Sequence, residues 1–548
     1  MMEMILNYFH TIRFLKPAQL YNRLWFCLYR PKPDLKSRPE IRLLSGKWCE
    51  TTHRESTLLS PSRFCFLNKE REISTSGDWN HTGWEKLWLY NLHYFDDLNA
   101  DGADIRHQWH LELIQRWIRE NPPASGVGWE PYPVSIRIAN WIKWTLTGNG
   151  LPEEAIHSLA VQTRYLCRRL ERHLLGNHLI ANAKALLFAG YYFKGVEADH
   201  WKATGEKILL KELNEQILPD DGHFERSPMY HSIVLEDVLD CLNLLNAYGL
   251  TGNDLQGLLM EKAGLMLKFL ADILHPDGNI PFFNDCAFGV TAPPRELFGY
   301  AGRLGIGDRR GIPTRNVIGK PDFGLWVIKS GEIHVIVDAG PIGPDYLPGH
   351  AHCDTLSYEM SVAGKRFIVN SGTYAYEGPE RNLFRSTAAH NTVRIDDEEQ
   401  HEIWANFRVA RRGYPFDVSI EENNEECWFE GAHDGYGRLK GNPVHRRKIL
   451  LSEGKMSVED SIEGSGTHQG ESYIHLHPDV EVVSTEANEV LCNLDGNRVT
   501  IRSTSDGSLQ VENGFFSPEF GKKVGNKAVV LRKKGSTPFA INYEILIH

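Results

Sequence analysis

The chain has 548 residues, and its 60 Lys and Arg against 71 Asp and Glu give a formal net charge of −11 at pH 7, which argues against nonspecific binding to nucleic acid. Hydrophobic residues make up 41% of the chain and charged residues 24%, a balance that excludes a disordered chain and indicates a packed core. Because a single core stops growing beyond roughly 250 to 300 residues, we expect at least two domains.

The first 30 residues mix hydrophobic and basic side chains. Ile5, Phe9 and Ile12 alternate with Arg13 and Arg23 in a pattern that could lie on a membrane surface. The reading we favour is a helix strapped onto the main body, as part of an N-terminal strap over residues 1–80. No signal-peptide core and no apolar run of the roughly 18 residues that cross a bilayer is present, so we expect a soluble, unprocessed chain.

Residues 84–274 carry a run of segments with helical periodicity and short polar breaks. Short breaks favour successive helices packed as antiparallel pairs, and many such pairs in sequence build an α/α barrel or an incomplete toroid. We therefore predict an N-terminal α/α toroid domain over residues 1–320. The predicted helices cover residues 106–119, 133–146, 153–175, 179–193, 201–217, 232–248 and 254–274.

After Pro321 the sequence becomes alternating and β-branched, with Asp-Gly turns between short runs. This pattern predicts a C-terminal antiparallel β-sandwich over residues 321–548. Residues 291–320 are rich in Pro, Gly and Arg and read as the connector. The predicted strands include residues 325–329, 332–339, 355–362, 366–370, 392–395, 480–485, 499–503 and 539–547.

Two clusters of polar residues lie within the helical region. Asn177 and His178 follow Gly176 at a helix boundary, where ordinary capping is a sufficient explanation. Residues 221–231 combine an N-cap at Ser227 with the titratable residues Glu225, Tyr230 and His231. A Tyr at a helix start can have its phenolate stabilised by the helix dipole and nearby cations, which would let Tyr230 carry a proton at neutral pH.

Two further clusters lie where the strands begin. His350, His352 and Asp354 alternate along an extended segment and so share one face, which suits either a metal ligand set or a positioned catalytic base. Residues 370–392 form a long loop rich in Arg, Tyr and His, which is either a binding surface or a hairpin loop with solvated charges.

The GxSxG, P-loop, HExxH and strand-linked GxGxxG signatures are absent. The aromatic and basic residues near the four clusters instead suit a sugar site, with rings that stack on pyranose faces and guanidinium groups that hold carboxylates or sulfates. We therefore expect an anionic polysaccharide as the ligand. The candidate substrate contacts are Trp129, Arg137, Glu225, Tyr374, Arg381 and Arg385.

Taken together, these motifs resemble the heparinase II/III family of polysaccharide lyases, which includes related alginate lyases. The resemblance covers most of the chain and implies an α/α toroid followed by an antiparallel β-sandwich, with the substrate cleft between them. It rests on LWLYNLHYFDDL (87–98), WEPYPVSIRIANWIKW (129–144), GNHLIANAKAL, DGHFERSPMYH and the segment that opens with GHAHCDTLSYEM.

The resemblance implies β-elimination at a uronic acid and gives the catalytic residues their roles. Asn177 and His178 match the positions that neutralise the uronate carboxylate. Tyr230 matches the tyrosine that protonates the leaving oxygen, and in syn elimination it also takes the C5 proton. His350 matches the histidine that serves as base when the C5 proton lies on the opposite face. Which of Tyr230 and His350 is the base depends on the uronate epimer.

The resemblance also implies a structural zinc ion held by two histidines and an aspartate. His352 and His390 match the two histidines, whereas Asn370, a poorer ligand, stands at the aspartate position. Asp354 could substitute, or the site could be empty, with Asn370 hydrogen-bonded to a neutral histidine. No other cofactor is implied.

Localisation and alternative functions stay open. Polymer-degrading relatives are usually exported, but this chain lacks a convincing signal peptide, and its nine cysteines are scattered without a CxxC pair. A cytoplasmic location, or one at the inner face of the membrane, is favoured over a periplasmic one.

Two other functions are considered: a glycoside hydrolase using Glu225 with Glu236 or Asp237, and a noncatalytic protein that binds or assembles an exopolysaccharide.

Overall fold

A computed structural model describes residues 2–250, 252–307, 316–423 and 425–548, with side chains from residue 4 onward. A helical N-terminal part is followed by a C-terminal part built of antiparallel sheets. The helices are α1 (Met2–Ile12), α2 (Pro17–Leu28), α3 (Lys86–Tyr94), α4 (His107–Glu120), α5 (Pro131–Leu146), α6 (Glu153–Arg168), α7 (Gly176–Tyr192), α8 (Val196–Gln216), α9 (Pro228–Ala247), α10 (Asp254–Ile273), α11 (Pro294–Arg303) and α12 (Pro379–Arg385).

Two small sheets accompany the helices of the N-terminal part, and a third small sheet and most of the strands lie beyond residue 316. The strands are β1 (Glu40–Ile41), β2 (Leu58–Ser60), β3 (Arg63–Phe66), β4 (Lys69–Glu72), β5 (Phe193–Lys194), β6 (Val317–Lys320), β7 (Leu325–Ser330), β8 (Ile333–Asp338), β9 (Tyr358–Val362), β10 (Lys365–Ile368), β11 (Val393–Ile395), β12 (Ile403–Trp404), β13 (Arg408–Val409), β14 (Pro415–Glu422), β15 (Cys427–His433), β16 (Val444–Ser452), β17 (Lys455–Glu463), β18 (Thr467–His475), β19 (Glu481–Thr485), β20 (Glu489–Leu494), β21 (Asn497–Ser503), β22 (Ser508–Glu519), β23 (Lys522–Ser536) and β24 (Phe539–Ile547).

The predicted helices from α4 to α10 are confirmed to within a few residues, with one difference. The helix predicted over residues 153–175 ends at Arg168. Leu175 and Gly176 adopt positive φ values of 66° and 58°, which a right-handed helix cannot accommodate. The chain therefore turns before α7, and this turn presents Asn177 and His178 at the start of a helix.

Helix α11 lies within residues 291–320, which the sequence predicts as a connector, and residues 308–315 lie outside the described part. The structure also contains long strands that were not predicted, including β22 and β23. Their solvent-facing residues include many Lys, Asn and Gly, which hide the alternation of a strand that is buried on one side only.

The sheets of the C-terminal part share one hydrophobic core. They are a five-stranded sheet in the order β10-β9-β8-β7-β6, a four-stranded sheet β11-β18-β23-β22 and an eight-stranded sheet β14-β15-β16-β17-β24-β21-β20-β19. Val335, Val458 and Val529, one from each sheet, belong to the same buried cluster. Phe516 and Phe520 instead pack into the core of the helical part, so the two parts are joined by apolar contacts.

Candidate active site

The first part of the site is the start of α7. A side-chain carbon added at Gly176 would lie 2.4 Å from Glu225 Oε1 and 2.6 Å from Leu347, so only glycine fits. The backbone N–H of Asn177 donates to Glu225 Oε1 over 2.9 Å. In the described part of the chain, no group hydrogen-bonds to the Asn177 carboxamide. Its donors and acceptor are thus available to a ligand.

His178 lies beside Asn177 and is fixed by a carboxylate. Its Nδ1 lies 3.1 Å from Glu171 Oε1, and its ring centroid lies 4.5 Å from that of Tyr132. Burial lowers the pKa of His178, but the charge and hydrogen bond of Glu171 outweigh burial and hold this pKa above its ordinary value. The side chain is 29% exposed, so an imidazole with a raised pKa faces solvent at this point.

Tyr230 lies in the first turn of α9, which Ser227 caps by accepting from the Tyr230 N–H over 3.2 Å. The Tyr230 hydroxyl lies 2.8 Å from the hydroxyl of Tyr376. Burial, together with Tyr376 and Asp285, raises the pKa of Tyr230 well above its ordinary value. The helix start and nearby cations therefore do not stabilise the phenolate as expected, because burial of the hydroxyl outweighs them, and Tyr230 is a phenol at neutral pH.

His350 completes the arrangement. Its ring stacks on that of Tyr230 with centroids 3.8 Å apart. Its Nδ1 lies 2.9 Å from Asp285 Oδ2, and its Nε2 lies 3.3 Å from Glu225 Oε2, a buried oxygen without a hydrogen-bond partner. The Glu225 carboxylate thereby connects the Asn177 backbone with His350. Asn177, His178, Tyr230 and His350, four residues from the two parts of the chain, form what we call the catalytic cluster.

Asp285 organises the C-terminal side of this cluster and was not singled out from the sequence. Its carboxylate is fully buried, accepts two hydrogen bonds from Arg381 and lies 2.9 Å from His352 Nε2. Burial raises the pKa of Asp285, but Arg381 and the two histidines outweigh it and hold this pKa well below its ordinary range. The only sequence signal was an Asn-Asp pair after the apolar run Ile280–Phe283.

A buried group of potential metal ligands lies behind His350. One ligand atom each from His352, Asp354 and His390 lies within 4.8 Å of the others. Asn370 is less well placed to coordinate, because its Oδ1 accepts from Ser357 over 2.7 Å and lies 3.2 Å from His390 Nδ1. Two imidazoles and a carboxylate are ligands that suit zinc, so His352, Asp354 and His390 fit a metal better than the set with Asn370.

The remaining predicted substrate contacts lie in different surroundings. Arg137 is fully buried and donates to Gln162 and to two backbone carbonyls, and Trp129 is buried among the aromatic rings of the helical core. Arg385 is buried and donates to the carbonyls of Ala351, Ala405 and Asn406. These three side chains are therefore buried and engaged within the protein, unlike the exposed substrate contacts that the sequence predicts.

The other predicted contacts are closer to the catalytic cluster. Arg381 holds Asp285, and its guanidinium lies 5.0 Å from the centroid of the Tyr376 ring. Tyr374 is half-buried, with its ring stacked on Phe384. Glu225, described above, is the one predicted contact that touches both Asn177 and His350.

The carboxylates considered for a hydrolase are engaged elsewhere. Glu236 accepts hydrogen bonds from Thr52 and Arg54, and Asp237 accepts one from Lys184 over 2.7 Å. Burial raises the pKa of Glu236, but the charges of Arg54 and Lys143 outweigh burial and lower this pKa to about 2. The Glu236 carboxylate is therefore ionised and paired with Arg54. Both carboxylates are thus held by partners outside the catalytic cluster.

Comparisons with known proteins match both parts of the chain. Residues 89–292 match the model described as heparinase II/III N-terminus, and residues 312–544 match the model described as heparinase II/III-like, C-terminal. A heparin-sulfate lyase of Bacteroides stercoris is 23% identical over 402 residues, which are 68% of this chain and 57% of that protein. The match thus spans little more than half of that relative.

Two further comparisons extend the match. FtsZ-localized protein C of Caulobacter vibrioides is 24% identical over 481 residues, covering 82% of this chain and 78% of that protein. A solved structure named heparinase III has a TM-score of 0.69 and 18% identity, covering 97% of this chain and 85% of that one. The structural likeness shows a common fold.

Proposed function

The chain belongs to the heparinase II/III family, and from this premise we propose that it is a polysaccharide lyase that cleaves a uronic-acid-containing anionic polysaccharide by β-elimination. The substrate class we propose is a heparan sulfate-like or heparosan-like polymer or a bacterial exopolysaccharide. One observation carries the proposal: Asn177 and His178 from α7, Tyr230 from α9 and His350 from the sheet-rich part lie in one connected cluster.

The first requirement of the reaction is to acidify the proton on C5 of the uronate. As the C5–H bond breaks, its electron pair forms the C4=C5 double bond, the C4–O bond breaks and the leaving oxygen takes up a proton. Negative charge builds on the carboxylate during this step, so the site must stabilise it there. We assign this task to the Asn177 carboxamide and to the His178 imidazole, whose pKa Glu171 raises.

Tyr230 and His350 move the protons. Because its pKa is well above the ordinary value, Tyr230 is protonated at neutral pH and suits the donation of a proton to the leaving oxygen. His350 takes the C5 proton when that proton lies on the face opposite Tyr230. For the other epimer, Tyr230 would take the C5 proton and then pass it to the leaving oxygen, which requires that its phenol first lose a proton, a step that its raised pKa disfavours. Tyr376 holds the Tyr230 hydroxyl in place through the contact of 2.8 Å.

The finer architecture also forms part of the proposal. We assign the helical part to an incomplete α/α toroid and the sheets to a β-sandwich, with the cleft between them. The likeness in fold to heparinase III supports this assignment. We further assign His352, Asp354 and His390 to a structural zinc site. When bound, zinc would cross-link the segments behind His350 and supply no step of the reaction.

An ultraviolet assay tests the lyase. The purified protein is incubated with heparan sulfate, heparosan, hyaluronan, chondroitin sulfate and alginate, and the absorbance of the new C4=C5 double bond is followed. We expect a rise on at least one polymer that is abolished in Tyr230→Phe, while affinity for the polymer is kept. New reducing ends without the absorbance would instead indicate hydrolysis.

A second candidate is a noncatalytic protein that binds or helps to assemble a polysaccharide. One comparison favours it, because FtsZ-localized protein C, whose name is not that of an enzyme, is matched over 78% of its length, against 57% for the Bacteroides stercoris lyase. Binding of a polymer without any double bond or reducing end would support this candidate, and Tyr230→Phe would then change nothing.

A further inference from the structure

Helices α1 and α2 expose an unusual number of large hydrophobic side chains. Eleven of the 24 exposed large hydrophobic residues in the described part of the chain lie between residues 4 and 28. Phe9 is 62% exposed, Leu24 61% and Trp25 50%, which is far above what a helix packed on its apolar side would show.

The exposure follows from how the helices are oriented. In α2 the residues Tyr21, Leu24, Trp25 and Leu28 recur at helical spacing and form an apolar stripe, and all four are exposed. The polar residue Gln19 is the buried one, and its amide donates to the carbonyl of Tyr346 over 3.1 Å. The face of α2 that carries Gln19 therefore packs against the protein, and the face that carries the apolar stripe is exposed to solvent.

In α1 the residues Ile5, Phe9 and Ile12 form a similar exposed stripe. The helix is held on the body by Thr11, which donates to the carbonyl of Val409 and accepts from the indole N–H of Trp404 over 3.0 Å, and by the ring of Tyr8, which packs edge-on against Trp404. Four residues join α1 to α2, and we refer to these two consecutive helices together as the hairpin.

The charge of this hairpin is opposite to that of the whole chain. Residues 2–33, which include both helices, contain five Lys and Arg and one acidic residue, Glu3, so their net charge is +4, whereas the chain as a whole carries −11. Arg13, Arg23 and Arg30 are exposed. A hollow of about 290 Å³ beside α2 is lined by Trp25, Tyr29, Arg168 and Arg172, which places guanidinium groups next to aromatic rings.

We propose that α1 and α2 dock this protein onto the surface of an anionic lipid bilayer. Exposed apolar stripes, aromatic residues and flanking cations are the features that place a helix in the plane of a membrane interface. Anionic headgroups attract the cations of the hairpin, while they repel the rest of a protein of net negative charge. Charge complementarity therefore selects this face and this orientation.

Docking would bring the bilayer close to the catalytic cluster. The segment joined to the hairpin through Gln19 and Tyr346 continues into Leu347, which lies against Gly176, and then into His350. Lys16 also contacts this segment, with its Nζ 3.7 Å from the centroid of the Tyr346 ring. A polymer displayed at a membrane surface would thus meet the cleft directly.

Vesicle co-sedimentation of the full chain tests the proposal. We compare vesicles of phosphatidylcholine with vesicles that also contain phosphatidylglycerol, at low and high salt. We expect binding to the anionic vesicles that weakens with salt, and roughly tenfold weaker binding for Leu24→Glu and for Arg23→Glu. Val196→Glu, at a site that is 89% exposed on α8, and Arg119→Glu on α4 are the matched controls and should bind like the parent protein.

Three outcomes overturn the proposal. The first is a parent protein that does not sediment with anionic vesicles, and the second is an equal loss in Leu24→Glu and Val196→Glu. The third is a dimer, measured by analytical ultracentrifugation, that Leu24→Glu dissociates while no vesicles are bound; a second copy of the chain would then cover the stripes. Equal thermal midpoints of all variants by circular dichroism, and equal turnover of a soluble polymer, show that each variant is folded.

Discussion

The two sides of the catalytic cluster are built differently. On the C-terminal side, His350 faces a carboxylate at each ring nitrogen, and Asp285 is fully buried with Arg381 and His352 bound to it. On the helical side, His178 is 29% exposed, and within the described residues the Asn177 carboxamide has no protein partner. One side is thus fixed at several points, and the other is open.

This difference matches the two tasks of an eliminating site. Proton transfer requires donor and acceptor atoms to stay in a narrow range of distance, which a buried charge network provides. Recognition of the carboxylate requires groups that are solvated until the substrate arrives and then bond to it. Substitutions on the fixed side and on the open side should therefore impair the reaction in different ways.

Asp285→Ala should have the largest effect, because it removes the carboxylate that holds Arg381, His350 and His352. An unpaired buried guanidinium would remain, and breaking a buried ion pair costs about 3–5 kcal/mol. We expect loss of activity and a lower thermal midpoint by calorimetry. Asp479→Ala removes an exposed carboxylate that lies 3.4 Å from His477, and it should change stability by no more than about 1 kcal/mol.

Asp285→Asn separates folding from catalysis, because it keeps the shape of the side chain. If this variant were stable and fully active, the buried charge would be unnecessary, and the fixed side would not depend on Asp285.

Gly176→Ala should cost on the order of 100-fold in kcat, since the added carbon collides with Glu225 Oε1 and Leu347 and shifts groups that contact the Asn177 backbone. Its φ of 58° adds backbone strain. Gly331→Ala is the matched control, because Gly331 has a similar φ of 55° and nothing lies near the added carbon. Equal activity of Gly176→Ala and the parent protein would show that the start of α7 tolerates displacement.

Glu171→Gln should change the pH dependence of the reaction. Glu171 raises the pKa of His178, so the cation is present below that pKa and is lost as the pH rises through it. Without this carboxylate, only the more weakly acting Glu225 and Glu130 oppose burial, so the pKa of His178 falls. The alkaline limb of kcat/KM should therefore move to lower pH, with little loss in acid. Glu153→Gln, at an exposed ion pair with Arg38, should leave the profile unchanged.

Much of the fold could be predicted from the sequence, because its signals are local. Helices α7 and α9 have the expected periodicity, and Ser227 and Pro228 mark the start of α9 correctly. The predicted helix ran past Arg168, where α6 ends, and the positive φ of Leu175, an ordinary helix former, shows that the connection to α7 follows tertiary surroundings and not local propensity. Helix α11 was missed because Pro and Gly at its ends suggested a connector.

The candidate site was less predictable where its contacts are long-range. Tyr230 and His350 stand in conspicuous motifs, but Asp285 acts through partners 65 and 96 positions away, a relation that no spacing rule contains. The same holds for the electrostatics. The position of Tyr230 at a helix start predicted a stabilised phenolate, whereas burial beside Tyr376 and Asp285 raises its pKa.

Tyr376→Phe should have the smallest effect and the most local one. It removes the hydroxyl that lies 2.8 Å from that of Tyr230 and keeps the ring that packs beside His350. A single neutral hydrogen bond is worth about 1 kcal/mol, so we expect roughly a fivefold fall in kcat with KM unchanged. Tyr543→Phe breaks an equivalent buried pair with Tyr358 in the β core and should lower stability without changing kcat. An interaction that is lost equally from the bound substrate and from the transition state changes KM and leaves kcat unaltered. If Tyr376→Phe raised KM alone, Tyr376 would therefore belong to the open, ligand-binding side of the cluster.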